Sequence, residues 1–118
     1  MLAQQLYTQG HKFSGGWNFG PSENDARPVK WVVSAICNAM GVQENWKIEP
    51  GQFFAEKQVL RLDVSMANFE LNWKPVLSVL EGIQLTADWY AHHLTGKDLF
   101  EKTIEQILHY ESLVAKSD

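Results

Sequence analysis

The sequence lacks the features that would indicate a secreted, membrane-spanning or nucleic-acid-binding protein. Its 118 residues contain one cysteine, Cys37, so no disulfide can form within the chain and a reducing, cytoplasmic location is expected. No apolar run approaches the roughly 20 residues that span a bilayer, and residues 1–10 lack the basic start and apolar stretch of a signal peptide. The formal net charge of -4 argues against nucleic-acid phosphates as a ligand.

The spacing of the glycines and histidines argues against two common kinds of site. No two of the eight glycines lie three positions apart, so the Gly-x-x-Gly element of a dinucleotide-binding turn is absent. His92 and His93 would point about 100° apart on a helix, and His11 and His109 have no partner at ligand spacing. We therefore expect no cofactor and no metal in this chain, and no nucleophile with its base and acid can be named.

The sequence does contain an ordered succession of helical and strand-like segments. Apolar residues make up 45% of the chain, and five residues are tryptophan, which is the composition of one globular domain over residues 1–118. Helical periodicity predicts helices over residues 1–9, 28–40, 64–71, about 76–94 and 98–114. Alternating and aromatic patterns predict strands over residues 13–20, 45–49 and 59–63. The expected fold is α+β and mostly helical, with a small sheet of two or three strands.

Three stretches carry a resemblance to a known family. Residues 17–21 (Trp-Asn-Phe-Gly-Pro) lead into 25–33 (Asp-Ala-Arg-Pro-Val-Lys-Trp-Val-Val), residues 60–67 lead into 71–75 (Leu-Asn-Trp-Lys-Pro), and Thr-Ala-Asp-Trp-Tyr occupies 86–90. Together they resemble the extended short-chain dehydrogenase superfamily and, within it, the C-terminal, substrate-side lobe of CDP-glucose 4,6-dehydratase.

The resemblance implies a nucleotide-sugar-binding lobe without the NAD-binding Rossmann domain. The superfamily's catalytic Tyr-x-x-x-Lys is absent, since Lys follows none of the three tyrosines at the fourth position. The chain is therefore expected not to catalyse dehydration alone, and NAD is expected only in a complete enzyme. The implied partner is a Rossmann domain or a second dehydrogenase chain.

Four residues are candidate substrate contacts. The resemblance implies that Glu56 meets the ribose, because a carboxylate can accept two hydroxyl hydrogen bonds, and that Asn18 faces the nucleotide. Arg27 and Arg61 could approach a diphosphate, since Arg suits bidentate anion contacts. The alternatives are a solvated loop glutamate, a turn asparagine that bonds its own backbone, and two exposed surface arginines.

Two departures from the family pattern bear on this site. Asn72 stands where the family usually has Gly, and Ala55 stands where it usually has His. Asn tolerates positive φ better than most residues, so the turn at Asn72 is expected to persist. Asp63 and Ser65 indicate the start of a helix and are expected to be structural.

Two functions of different classes are compatible with these residues. One is a lobe that binds CDP-glucose or CDP weakly, and the other is a self-associating structural or interaction protein with no ligand. A free-standing enzyme of another chemistry has no residue set to support it. In either case the apolar faces of the first and last helices would be exposed to water without a partner domain. Self-association would bury them, which predicts a homodimer with Leu2, Leu6, Phe100 or Ile104 at its interface.

Overall fold

Helices make up all the regular secondary structure in the part of the chain that the computed structural model describes, residues 1–47 and 62–117. They are α1 (Leu2–Gln9), α2 (Val29–Ala39), α3 (Ser65–Leu71), α4 (Val79–Leu94) and α5 (Leu99–Ser117), with short 3-10 turns at Gly10–Phe13 and Glu23–Asp25. The five helices predicted from periodicity are confirmed, each with its bounds within a few residues.

The predicted α+β class with a small sheet is wrong for the described residues, because none of them is in a strand. Asn18 and Gly20 of the first predicted strand do lie beside residues 62–64, and a Cβ added to Gly20 would lie 3.5 Å from the Cβ of Leu62. A side-chain bond joins the two segments there, from the Asn18 amide to the Asp63 carbonyl. A strand needs a ladder of backbone bonds, and these segments form none. Of the other two predicted strands, residues 45–47 and 62–63 are likewise not in a strand, and residues 48–49 and 59–61 lie outside the described residues.

The ends of the helices follow from local chemistry. Pro28 precedes α2 with φ -62°, which suits a helix start because proline needs no N–H partner there. Gly41 follows α2 at φ +66°. At α4, the Ser78 hydroxyl accepts a bond from the Glu81 N–H at 3.2 Å. The Glu81 carboxylate in turn accepts one from the Ser78 N–H at 2.7 Å. This capping box was not predicted, although Ser-x-x-Glu is its sequence signature.

Helix α4 packs against both α2 and α5. Ile83 and Ala87 are buried on α4. Two hydrogen bonds join α4 to α5: the Trp89 indole donates to the Thr103 hydroxyl at 3.1 Å, and the Gln106 amide donates to the Leu85 carbonyl at 2.8 Å. Specific hydrogen bonds therefore fix how α5 sits on α4.

A charged side chain strengthens the same contact. The Lys102 ammonium on α5 lies 2.6 Å from an Asp88 carboxylate oxygen on α4 and 3.1 Å from Glu105. The hydrogen bonds to Asp88 and then Glu105 raise the pKa of Lys102, so it remains protonated across the physiological range.

One carboxylate ties the loop before α2 to the start of α4. Asp25 accepts a hydrogen bond from the Val79 N–H, the first amide of α4, across 54 residues of sequence. Its other oxygen lies 3.0 Å from the Arg27 guanidinium, which also donates to the Asn24 carbonyl. Because a helix N-terminus has amides without intrahelical partners, Asp25 both caps α4 and anchors the loop.

Replacing Asp25 with Ala is expected to lower the free energy of unfolding by about 1–2 kcal/mol, the usual cost of removing a helix cap. Arg27→Ala should cost less, about 0–1 kcal/mol, because the contacts that it removes lie at the surface and the bond from Val79 to Asp25 remains. Urea unfolding followed by circular dichroism measures both. Equal losses would mean that the ion pair, rather than the cap, carries the effect.

Candidate functional site

A broad cleft opens where the loop before α2 meets the segment that enters and leaves α3. Its volume is about 1160 Å³, slightly above the roughly 300–1,000 Å³ of small-molecule sites. We call it the α3 cleft; it is lined by Pro21, Ser22, Glu23, Ala26, Leu62, Asp63, Val64, Ser65, Asn68, Phe69, Asn72, Lys74 and Pro75.

The start of α3 forms one wall of the cleft. The Asp63 carboxylate accepts a hydrogen bond from the Ser65 N–H at 2.9 Å, and bonds from the Ser65 side chain and backbone lower the pKa of Asp63. Asp63 is therefore ionised at neutral pH and holds the first turn of α3. The structural role expected for Asp63 and Ser65 is confirmed.

The end of α3 forms the opposite part of the lining. Asn72 adopts a left-handed conformation, φ 50° and ψ 32°, so the turn expected to persist without Gly does persist. The Trp73 N–H donates to the Ala67 carbonyl at 3.1 Å, a bond typical of helix C-terminal motifs. The Trp73 ring packs edge-on against Phe19, with centroids 5.1 Å apart. This contact holds the backbone just before Lys74, which lines the cleft.

The described lining carries two carboxylates, Glu23 and Asp63, and one ammonium, Lys74. This balance does not by itself favour a diphosphate, because a like charge nearby opposes an anion. A nucleotide in the cleft would therefore place its phosphates toward Lys74 or toward cations outside this lining.

The structure places two of the four candidate contact residues. Asn18 is exposed, and its side-chain amide donates to the Asp63 carbonyl at 3.2 Å, so it joins the loop to the cleft wall without lining the cleft. Arg27 bonds Asp25 and Asn24 and stacks over the Trp31 ring at 5.5 Å. Glu56 and Arg61 lie outside the described residues, although Arg61 directly precedes Leu62 of the cleft wall.

The α3 cleft was missed by the sequence analysis, which selected no residue of α3 beyond its start as a contact. The signal available in the sequence was the group of Asn68, Phe69 and Asn72 on and directly after one short helix. A second groove, of about 760 Å³, lies between α2 and α4 and is lined largely by small residues.

The described residues offer neither a metal site nor a membrane-spanning helix. They contain no group of three or more His, Cys, Asp or Glu side chains placed to hold a metal ion. Among these residues, no helix is both long and apolar enough to cross a bilayer.

The sequence is similar to that of a known enzyme. It is 33% identical over 116 residues to CDP-glucose 4,6-dehydratase from Salmonella typhimurium, a match that covers 98% of this chain and 32% of that protein. The chain thus spans about a third of the length of the relative it matches. No family model matches the sequence. The predicted relationship to this dehydratase is confirmed: nearly the whole chain is similar to one part of that protein.

The left-handed turn at Asn72 gives a direct test of how the cleft wall is built. Asn72→Ala should lower the free energy of unfolding by about 1 kcal/mol, because a Cβ without a polar group disfavours this backbone region. Asn72→Gly should leave the free energy unchanged or raise it slightly. Thermal unfolding of the two variants provides the comparison, and an Ala variant as stable as the Gly variant would contradict the turn geometry.

Proposed function

We propose that this chain acts as the substrate-side lobe of a CDP-glucose 4,6-dehydratase-like protein and binds CDP-glucose or CDP weakly. The observation that carries the proposal is the 33% identity over 98% of the chain. On this view the chain belongs to the extended short-chain dehydrogenase superfamily, forms a single lobe over residues 1–118 and works in the cytoplasm. It does not catalyse dehydration alone, and a Rossmann domain or second dehydrogenase chain supplies NAD.

The α3 cleft supports the proposal because of its position. The candidate contacts Glu56 and Arg61 belong to the stretch of sequence that continues directly into Leu62 of the cleft wall. Because Glu23 and Asp63 would repel a diphosphate, its binding needs a further cation, and Arg61 would supply it. Glu56 would accept hydrogen bonds from the ribose hydroxyls. Asn18 would act by holding the Asp63 carbonyl in place.

Titration of the chain with CDP-glucose or CDP is expected to give a dissociation constant in the millimolar range, equivalent to about 4 kcal/mol. Glu56→Gln should weaken binding, because the neutral amide accepts fewer bonds from a diol. Glu111→Gln, which removes the same charge from an exposed position on α5, is the matched control. Chemical-shift changes in NMR spectra measure the binding.

Two results would count against the proposal. An absence of shift changes up to several millimolar CDP-glucose would favour the interaction protein without a ligand. Loss of CDP-glucose in the presence of NAD, above a control without protein, would show that the chain is catalytic alone.

One observation favours the alternative of a self-associating protein. Helix α5 turns Thr103 and Gln106 toward α4, which leaves an exposed apolar stripe on another side of the helix. Its members are Phe100, Ile104, Ile107 and Leu108. Phe100 alone is 70% exposed. Contiguous exposed apolar surface of this kind marks interaction sites in soluble proteins. A homodimer through this stripe, with Leu2 and Leu6 of α1 as further candidates, is compatible with either function.

Sedimentation equilibrium at high micromolar concentration is expected to show a mass above the 13.5 kDa of one chain. Ile104→Asp should return the protein to a monomer, because burying a carboxylate without a partner is costly. Ser112→Asp introduces the same charge on the polar side of α5 and should leave the dimer intact. A wild-type monomer, or equal effects of both substitutions, would contradict assembly through this stripe.

A further inference from the structure

Phe69 is an aromatic residue for which the described fold has no packing role. Helix α3 is anchored by Ala67 and Leu71, both buried, whereas Phe69 between them is 87% exposed. Its ring stacks on no other described aromatic ring and on no cation. Tyr7 and Phe100 are also highly exposed, but of these three rings Phe69 is the one that lines the α3 cleft.

Two amide side chains share the lining of the cleft with this ring. Asn68 lies on α3 and Asn72 directly follows the helix, and both line the α3 cleft. Asn68 is half-buried, yet within the described part of the chain neither amide makes a side-chain hydrogen bond. Each amide therefore has a donor and an acceptor available to a molecule in the cleft.

The charged side chains of the cleft favour one part of a nucleotide over another at the position beside Phe69. Glu23 and the ionised Asp63 lie in the same lining, so a diphosphate there would face two like charges. A neutral heterocyclic base meets no such repulsion. It has a flat face that can stack on an aromatic ring and an edge with donors and acceptors that match side-chain amides.

We infer that the α3 cleft binds the pyrimidine base of the nucleotide, stacked on Phe69, with the Asn68 and Asn72 amides hydrogen-bonded to its edge. This inference rests on the proposed function for the identity of the nucleotide, CDP. It adds a base-recognition role for three residues that the sequence analysis did not select. Lys74, in the same lining, is then available to the phosphate nearest the ribose.

The test compares CDP with ribose 5-phosphate, which has no base, by NMR titration of the whole chain. Base stacking contributes about 1–3 kcal/mol by alanine substitution, so Phe69→Ala should weaken CDP at least about fivefold and leave ribose 5-phosphate unchanged. Phe69→Tyr keeps an aromatic ring and should bind CDP like the wild type. Tyr7→Ala removes an equally exposed ring from α1, 93% exposed, and should have no effect.

The outcomes separate this inference from the proposed function. If CDP binds and Phe69→Ala binds it equally well, the base-stacking role is wrong and the proposed function stands. If the wild type binds no CDP, both fail. If Phe69→Ala weakens CDP and ribose 5-phosphate alike, the ring acts on the shape of the cleft and the stacking role is again wrong. Unfolding is not expected to interfere, because Ala is the strongest helix former and the site is exposed.

Discussion

The cap that Asp25 places on α4 is the interaction on which the arrangement of the described elements depends. Helix α4 packs against both α2 and α5, so its N-terminus is a fixed point of the helical layer. Asp25 attaches the loop before α2 to that point, and Pro21, Ser22, Glu23 and Ala26 of the loop line the α3 cleft. The Asp25 carboxylate therefore helps to set the position of the cleft relative to the helices.

The cleft is held by polar links rather than by a large core. The described hydrophobic residues that are buried are Phe13, Ala67, Leu71, Ile83 and Ala87, whereas none of the five tryptophans is buried. The bond from Asn18 to Asp63 and that from Val79 to Asp25 join segments 45 and 54 residues apart. Exposed hydrogen bonds contribute modestly to stability, so a ligand or partner that bridges these segments would stabilise the fold through its binding free energy.

Local signals in the sequence were enough to predict the helices but not the way they are joined. The periodicity of α2, α4 and α5, the Asp63–Ser65 start of α3 and the tolerance of Asn72 for positive φ are properties of neighbouring residues. The predicted sheet was wrong because a strand forms only when its backbone pairs with a segment that is distant in sequence. Residues 13–20 have the composition of a strand, but they meet residues 62–64 through the Asn18 side chain. The bond between Asp25 and Val79 and the formation of the α3 cleft also depend on contacts between segments that are distant in sequence. Local patterns could not predict them.

The central claim is that CDP-glucose binds in the α3 cleft, and amide hydrogen exchange with and without several millimolar CDP-glucose tests it most directly. Exchange reports local opening residue by residue. The account predicts slower exchange in residues 21–26 and 62–75 with no change along α5. Unchanged exchange throughout, or protection confined to α5, would contradict it.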